Sequence, residues 1–199
     1  MSSFNDVRLI LKLDLRVVTI ARLSQPCNSS RARHDTPASG RLEGMDRPEE
    51  SPGDCYSCRQ EKAGEGAPLR ERIWRTDHWR VVHSFNSALE GWLVALPRRH
   101  VTALAALDSQ ETAELGHLLR RTSAALGAVL GCQKTYVVEF SEAPGFNHLH
   151  FHVVARPRDL EDALKGPRVF DYLRRPASEW VTPERQDELA AQLAAEMAR

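Results

Sequence analysis

Apolar and polar positions alternate with period two at several places along the chain, and one alternation carries histidine on its polar side. In "GFNHLHFHVV" (Gly145–Val154), Leu149, Phe151 and Val153 interleave with His148, His150 and His152. Residues i, i+2 and i+4 of a strand share a face, so this pattern predicts a strand with three imidazoles on one side and core residues on the other. Upstream, Glu71–Asp77 and Trp79–Ser84 predict a hairpin turning near Asp77-His78. Gly91–Pro97 predicts a third, more buried strand, and Thr135–Phe140 a fourth. Between them the period lengthens to that of a helix. Leu115, Leu118, Leu119, Leu126, Val129 and Leu130 share a stripe, Asp108 and Glu111 form a capping-box pattern at its start, and Gly131 ends it. Thr182-Pro183 opens a second helix with Leu189, Leu193 and Met197 on one face. The expected fold class is α+β: an antiparallel sheet of about five strands, one main helix and a C-terminal helix.

Composition changes this picture at the N-terminus. Residues 23–54 are rich in Ser, Pro, Gly, Arg and acidic side chains, too polar to bury the apolar area that would offset chain entropy. Residues 1–54 are therefore expected to be a disordered extension, with translation expected to start at Met45. Residues 55–175 are expected to form the domain and 176–199 its C-terminal helix. Lys+Arg and Asp+Glu balance at 27 each, which argues against bulk attraction to nucleic acid. The most apolar stretch, Arg8–Leu23, is interrupted by Lys12, Asp14 and Arg16, and no run approaches the ~20 residues of a membrane-spanning helix. Four cysteines, two closely paired, suit metal binding in a reducing compartment better than a disulfide framework. The cytoplasm is the expected location, with neither membrane nor nucleic acid as partner.

The close pair is "CYSC". Cys55 and Cys58 have the spacing that lets two thiolates reach one Zn²⁺, with a redox dithiol or a chance pairing as alternatives. A structural zinc takes four ligands. His100, ending "LPRRH", and one histidine of the alternating set are the best further donors. Such a Cys2His2 set leaves no coordination position for water, so other groups would have to carry any chemistry. The three alternating histidines cannot all join it, because they span ~13 Å of strand at ~3.3 Å per residue. Trp74 and Trp92 are expected in the core, and His83 and His117 to be satisfied or exposed. Arg98 and Arg99 are expected either to steer phosphates or to lie in a solvated loop.

His148-Leu149-His150-Phe151-His152-Val153-Val154 resembles the motif of the histidine triad (HIT) family of nucleotide hydrolases and transferases. The order of predicted elements across roughly 55–157 is similar too. The resemblance is to the zinc-containing bacterial branch that keeps an upstream CxxC pair. It implies one structural zinc per chain, held by Cys55, Cys58, His100 and His148. It also implies His150 as the nucleophile that attacks the α-phosphate of a nucleotide, forming a nucleotidyl-histidine that water or another acceptor then releases. His152 would donate to phosphate oxygens or protonate the leaving group. Galactose-1-phosphate uridylyltransferases carry glutamine at that third position, so the histidine here points to hydrolase-type members. The substrate implied is a nucleoside monophosphate linked to another group, as in dinucleoside polyphosphates or nucleoside phosphoramidates. A non-catalytic nucleotide-binding module and a transferase or phosphorylase are the alternatives. A homodimer is common among such proteins.

The chain also departs from the family pattern. Gly145 stands where many members have serine, leaving its backbone N–H or the Asn147 side chain as substitute donor. Glu139 replaces an asparagine, and Gly91 stands where a further histidine often opens the third strand. Asn86 is placed to bond a ribose hydroxyl.

Overall fold

The computed structural model describes Gly53, residues 55–143 and residues 145–199. The expected N-terminal extension, residues 1–54 with a start at Met45, thus lies outside the described residues apart from Gly53. Five strands form one antiparallel sheet: β1 (Trp74–Arg75), β2 (Trp79–His83), β3 (Trp92–Pro97), β4 (Lys134–Glu139) and β5 (Phe151–Arg156), in the order β1-β2-β3-β5-β4. Among the described residues three α-helices accompany it: α1 (Tyr56–Ala63), α2 (Ser109–Leu130) and α3 (Pro183–Met197). The α+β class expected from the sequence is the observed one.

Helix α2 begins and ends where its caps dictate. The Asp108 carboxylate accepts from the N–H groups of Gln110 and Glu111, and Glu111 accepts from the Asp108 N–H, so three otherwise orphaned donors are satisfied. Gly131 closes it in the left-handed conformation, φ 62°. Thr182 caps α3 through its hydroxyl, with Pro183 in the first turn.

Cross-strand partners share a face, and the register separates two faces with different roles. On one, Val81, Leu93, Ala95, Phe151, Val153 and Ala155 pack beneath α2 and α3, joining Leu118, Leu126, Leu189, Leu193 and Met197 in the main core. Burying each of the Val, Leu, Phe and Met side chains among these contributes roughly 1.5–3 kcal/mol. The other face carries Arg80, Val82, Trp92, Val94, His152, Val154 and Tyr136, and it builds the site.

Two predicted strands differ from their expected bounds. The first shrinks to Trp74–Arg75, because Leu69–Glu71 is a 3-10 turn and Arg72 sits at φ −146°, ψ 42°. Glu71 is buried there to meet Arg80 and the Tyr56 hydroxyl. The histidine strand starts only at Phe151. The ladder to β3 runs out at Ala95↔Phe151, and the preceding backbone is held instead by Leu149 N–H donating to Val101 O. The alternation survives nonetheless, since Leu149 and Val153 are fully buried on the core side. Helix α1 was not expected from the sequence.

His83 is on the core face and 1% exposed, with Nδ1 against Ser84 O and Nε2 without a partner among the described residues. Burial pushes its pKa below the ordinary value. The unfolded chain therefore takes up the proton first as the pH falls through about 6.5. Stability present above that pH is lost below it, at up to about 1.4 kcal/mol per pH unit for such a group. His152 has the same sign, pushed down to about 3 by burial and by His150. The urea midpoint is accordingly expected to fall between pH 7.5 and 5.5, and His83→Gln to flatten that slope. A midpoint independent of pH over that range would refute the assignment.

Candidate active site and metal centre

The ends of β3 and β5 are neighbours, so residues following Pro97 and preceding Phe151 meet at one end of the sheet. His100 and His148 come together there, ring centroids 5.2 Å apart. Helix α1 brings the sulfurs: Cys55 is its N-cap residue and Cys58 lies in its first turn, where the helix dipole favours negative charge. An arginine pins α1 to the sheet. Arg80, 3% exposed, donates to Ser57 O in α1 and to Glu71, and Glu71 accepts from Tyr56.

Cys55, Cys58, His100 and His148 each offer one ligand atom, all within 4.8 Å of one another. Sγ to Nδ1 distances are 3.5 Å for Cys55–His148, 3.4 Å for Cys58–His100 and 3.7 Å for Cys58–His148. A tetrahedral ion with Zn–S of about 2.3 Å and Zn–N of about 2.0 Å sets S and N about 3.5 Å apart, so the four residues fit zinc. The outer contacts agree for one histidine: His148 Nε2 lies 2.8 Å from Pro97 O and donates to it, leaving the Nδ1 lone pair on the sulfur side. His100 Nε2 has no such acceptor among the described residues.

Beside this cluster lies a cavity of about 300 Å³ on the site face of the sheet. All three alternating histidines line it. His150 Nδ1 is 2.8 Å from His148 O and 3.3 Å from Ser141 Oγ, and its backbone N–H donates to that hydroxyl at 3.0 Å. A carbonyl only accepts, so Nδ1 carries the proton and Nε2 the lone pair in the neutral ring. Ser141 is buried with φ 47°, a rare conformation for a residue other than glycine. His152 follows, with its ring 4.8 Å from that of His150 and Nδ1 accepting from Trp92 Nε1 at 3.0 Å. Aromatic rings wall the cavity at both ends. Tyr56, Phe85 and Phe146 stand 5.4–6.0 Å apart, and Phe170 packs edge-on against Trp92, His152 and Phe140.

Asn86 lines this cavity and accepts from the Ser84 hydroxyl. Gly145 and Asn147 belong to the loop before His148 and are not among the lining residues. Glu139 is paired with Phe151, whose side chain lies in the main core, so it points away from the histidines. Arg98 and Arg99 are held by Glu61 and Glu111, and neither lines the cavity. Gly91 is required by the backbone: φ is +73°, and a Cβ would lie 2.3 Å from Leu130 Cδ1. Sequence reasoning missed Ser141, Tyr56, Phe146 and Phe170, and placed Trp92 in the core without its bond to His152. No spacing pattern marks them, because they meet only through loop closure and strand register.

Residues 70–159, a little under half of the chain, match the family model described as "HIT domain", and Cys55 and Cys58 lie outside the matched stretch. Solved structures share the fold. A zinc-bound histidine triad family protein from Mycobacterium smegmatis is 19% identical, with a TM-score of 0.55, and the match covers 74% of this chain and 96% of that one. A histidine triad protein from Bradyrhizobium japonicum is 20% identical, TM-score 0.53, over 63% and 89%. A uridylyltransferase mutant is 24% identical, TM-score 0.51, over 73% of this chain and 48% of that one. No curated protein matches the sequence. No helix among the described residues is long and apolar enough to cross a membrane.

Proposed function

We propose that this protein is a nucleotidyl hydrolase or transferase acting at the phosphorus of a nucleoside monophosphate conjugate. The observation that carries this reading is the orientation of His150: its Nδ1–H is tied to His148 O, and Nε2 is the nucleophilic nitrogen of a ring lining the cavity. The Nε2 lone pair forms a bond to phosphorus while the bond to the leaving group breaks, its electron pair departing with that group. Water then attacks phosphorus, gives up a proton to solvent, and returns the electron pair of the N–P bond to Nε2. Splitting the displacement in two replaces one difficult step by two easier ones. Asn86 and the aromatic wall of Phe85 and Phe146 are the groups proposed to hold the nucleoside. Cys55, Cys58, His100 and His148 would hold a structural zinc, and that zinc would tie α1 to the ends of β3 and β5 beside the His148 carbonyl that orients His150.

The cavity also bears on the substrate. Among the described residues that line it the only lysine or arginine is Arg80, and that guanidinium is engaged by Glu71 and Ser57 O. A polyphosphate chain would find no free cation there, whereas one phosphoryl group is met by imidazoles and hydroxyls. A nucleoside phosphoramidate is therefore expected to exceed a dinucleoside polyphosphate in kcat/KM by roughly tenfold or more, about 1.4 kcal/mol. Equal turnover of the two would overturn that preference. Quenching a reaction with labelled substrate and mapping a nucleotidyl adduct to His150 tests the mechanism. Tight nucleotide binding with no adduct would leave a binding module instead, and faster turnover with phosphate or sugar phosphate than with water would identify a transferase.

A further inference from the structure

We infer that Trp92 is a positioning residue, whose indole N–H fixes His152 in the Nε2–H tautomer and makes that ring a neutral hydrogen-bond donor facing the cavity. The donor role toward a phosphoryl group rests on the function proposed above; the tautomer does not.

The indole nitrogen can only donate. Its 3.0 Å contact with His152 Nδ1 therefore requires Nδ1 to be unprotonated, and the one proton of a neutral imidazole then sits on Nε2. The geometry is built in by the sheet. Trp92 pairs with Val154 and His152 with Val94, so the two side chains are diagonal neighbours on the site face. Trp92 is fully buried, and His152 Nδ1 is the partner that satisfies its N–H. Gly91, placed just before it at positive φ, lets α2 close over the strand, since a Cβ there would lie 2.3 Å from Leu130 Cδ1. Phe170 stands edge-on to both rings, at centroid distances of 5.2 and 5.4 Å.

A second proton on His152 would set Nδ1–H against the indole N–H. Burial and the neighbouring His150 act in the same direction. His152 in the free protein thus has no spare proton to pass to a leaving group near neutral pH. It stabilises charge on the phosphoryl oxygens by donating from Nε2 without losing the proton. This narrows the pair of roles expected from sequence to one, and the amine released from a phosphoramidate takes its proton from solvent and not from His152.

The test is full-length protein with benzothienylalanine at position 92, which keeps the bicyclic shape and exchanges the N–H for sulfur, alongside Trp92→Phe. In ¹⁵N-histidine-labelled wild type, His152 should show protonated Nε2 and bare Nδ1 throughout pH 5–8. The analogue should lose that preference and lower kcat roughly tenfold or more, with KM changed less than about threefold. Unchanged tautomer in the analogue would overturn the inference, as would a lost tautomer with unchanged kcat. If no nucleotide conjugate is turned over by wild type, the functional reading fails while the spectra still decide the tautomer. Should Trp92→Phe fail to fold, the isosteric analogue alone carries the comparison.

Discussion

Replacing His150 by alanine is expected to lower kcat for release of nucleoside monophosphate by roughly 10⁴-fold or more, a loss of about 5 kcal/mol of transition-state stabilisation. The size follows from the chemistry: without Nε2 there is no covalent intermediate, and water must displace the leaving group directly. Stability should change far less. His150 is only partly buried, outside the main core, and its Nδ1–H bond to His148 O contributes about 1 kcal/mol. Far-ultraviolet circular dichroism and the urea midpoint should therefore stay near wild type while activity disappears. A sharper version uses His150→Gly with added imidazole, which can occupy the vacated space and attack in place of the side chain. Partial rescue by imidazole, and none by an amine of equal basicity, is the expected outcome. Turnover by His150→Ala within tenfold of wild type would remove the nucleophile from this account.

The second large effect concerns the metal. Cys55→Ser is expected to reduce bound zinc from one per chain to a small fraction, measured by elemental analysis of protein purified without chelator. Structural zinc in small domains contributes on the order of 10 kcal/mol of apparent folding free energy, comparable with the whole stability of a typical domain, about 5–15 kcal/mol. The variant should accordingly lose α1 from the sheet and unfold well below the wild type's temperature. Burial and the neighbouring Cys55 thiol push the Cys58 thiol up to about 11, so without a cation its sulfur stays a thiol near neutral pH. Equal zinc in wild type and Cys55→Ser would refute the site. Intact zinc with unchanged melting would show that the cluster binds metal without supporting the fold.

Particular residues show how much of this was legible beforehand. The Asp108–Glu111 box and Gly131 predicted α2 nearly to the residue, since caps act within one turn of backbone. Cys55, Cys58, His100 and His148 were implied together by resemblance, and the structure brings their ligand atoms together. The strand expected from Glu71 to Asp77 failed because a charged side chain, Glu71, is drawn inward by Arg80, a partner nine residues away. Glu139 stands where the family pattern has asparagine, and only the register shows that it lies on the face away from the histidines.

The sequence alone determined what is local: the period of each element, its caps, the spacing of the sulfur pair, and three imidazoles on the polar side of one alternation. Each of these depends on backbone geometry within a few residues. Tertiary structure decided which atoms of those imidazoles are free, because a tautomer is chosen by the partner of the other nitrogen. For His148 that partner is Pro97 O, for His150 it is His148 O, and for His152 it is Trp92. Two of the three come from β3, and no count along the chain reveals which of its residues a strand sixty positions away will meet.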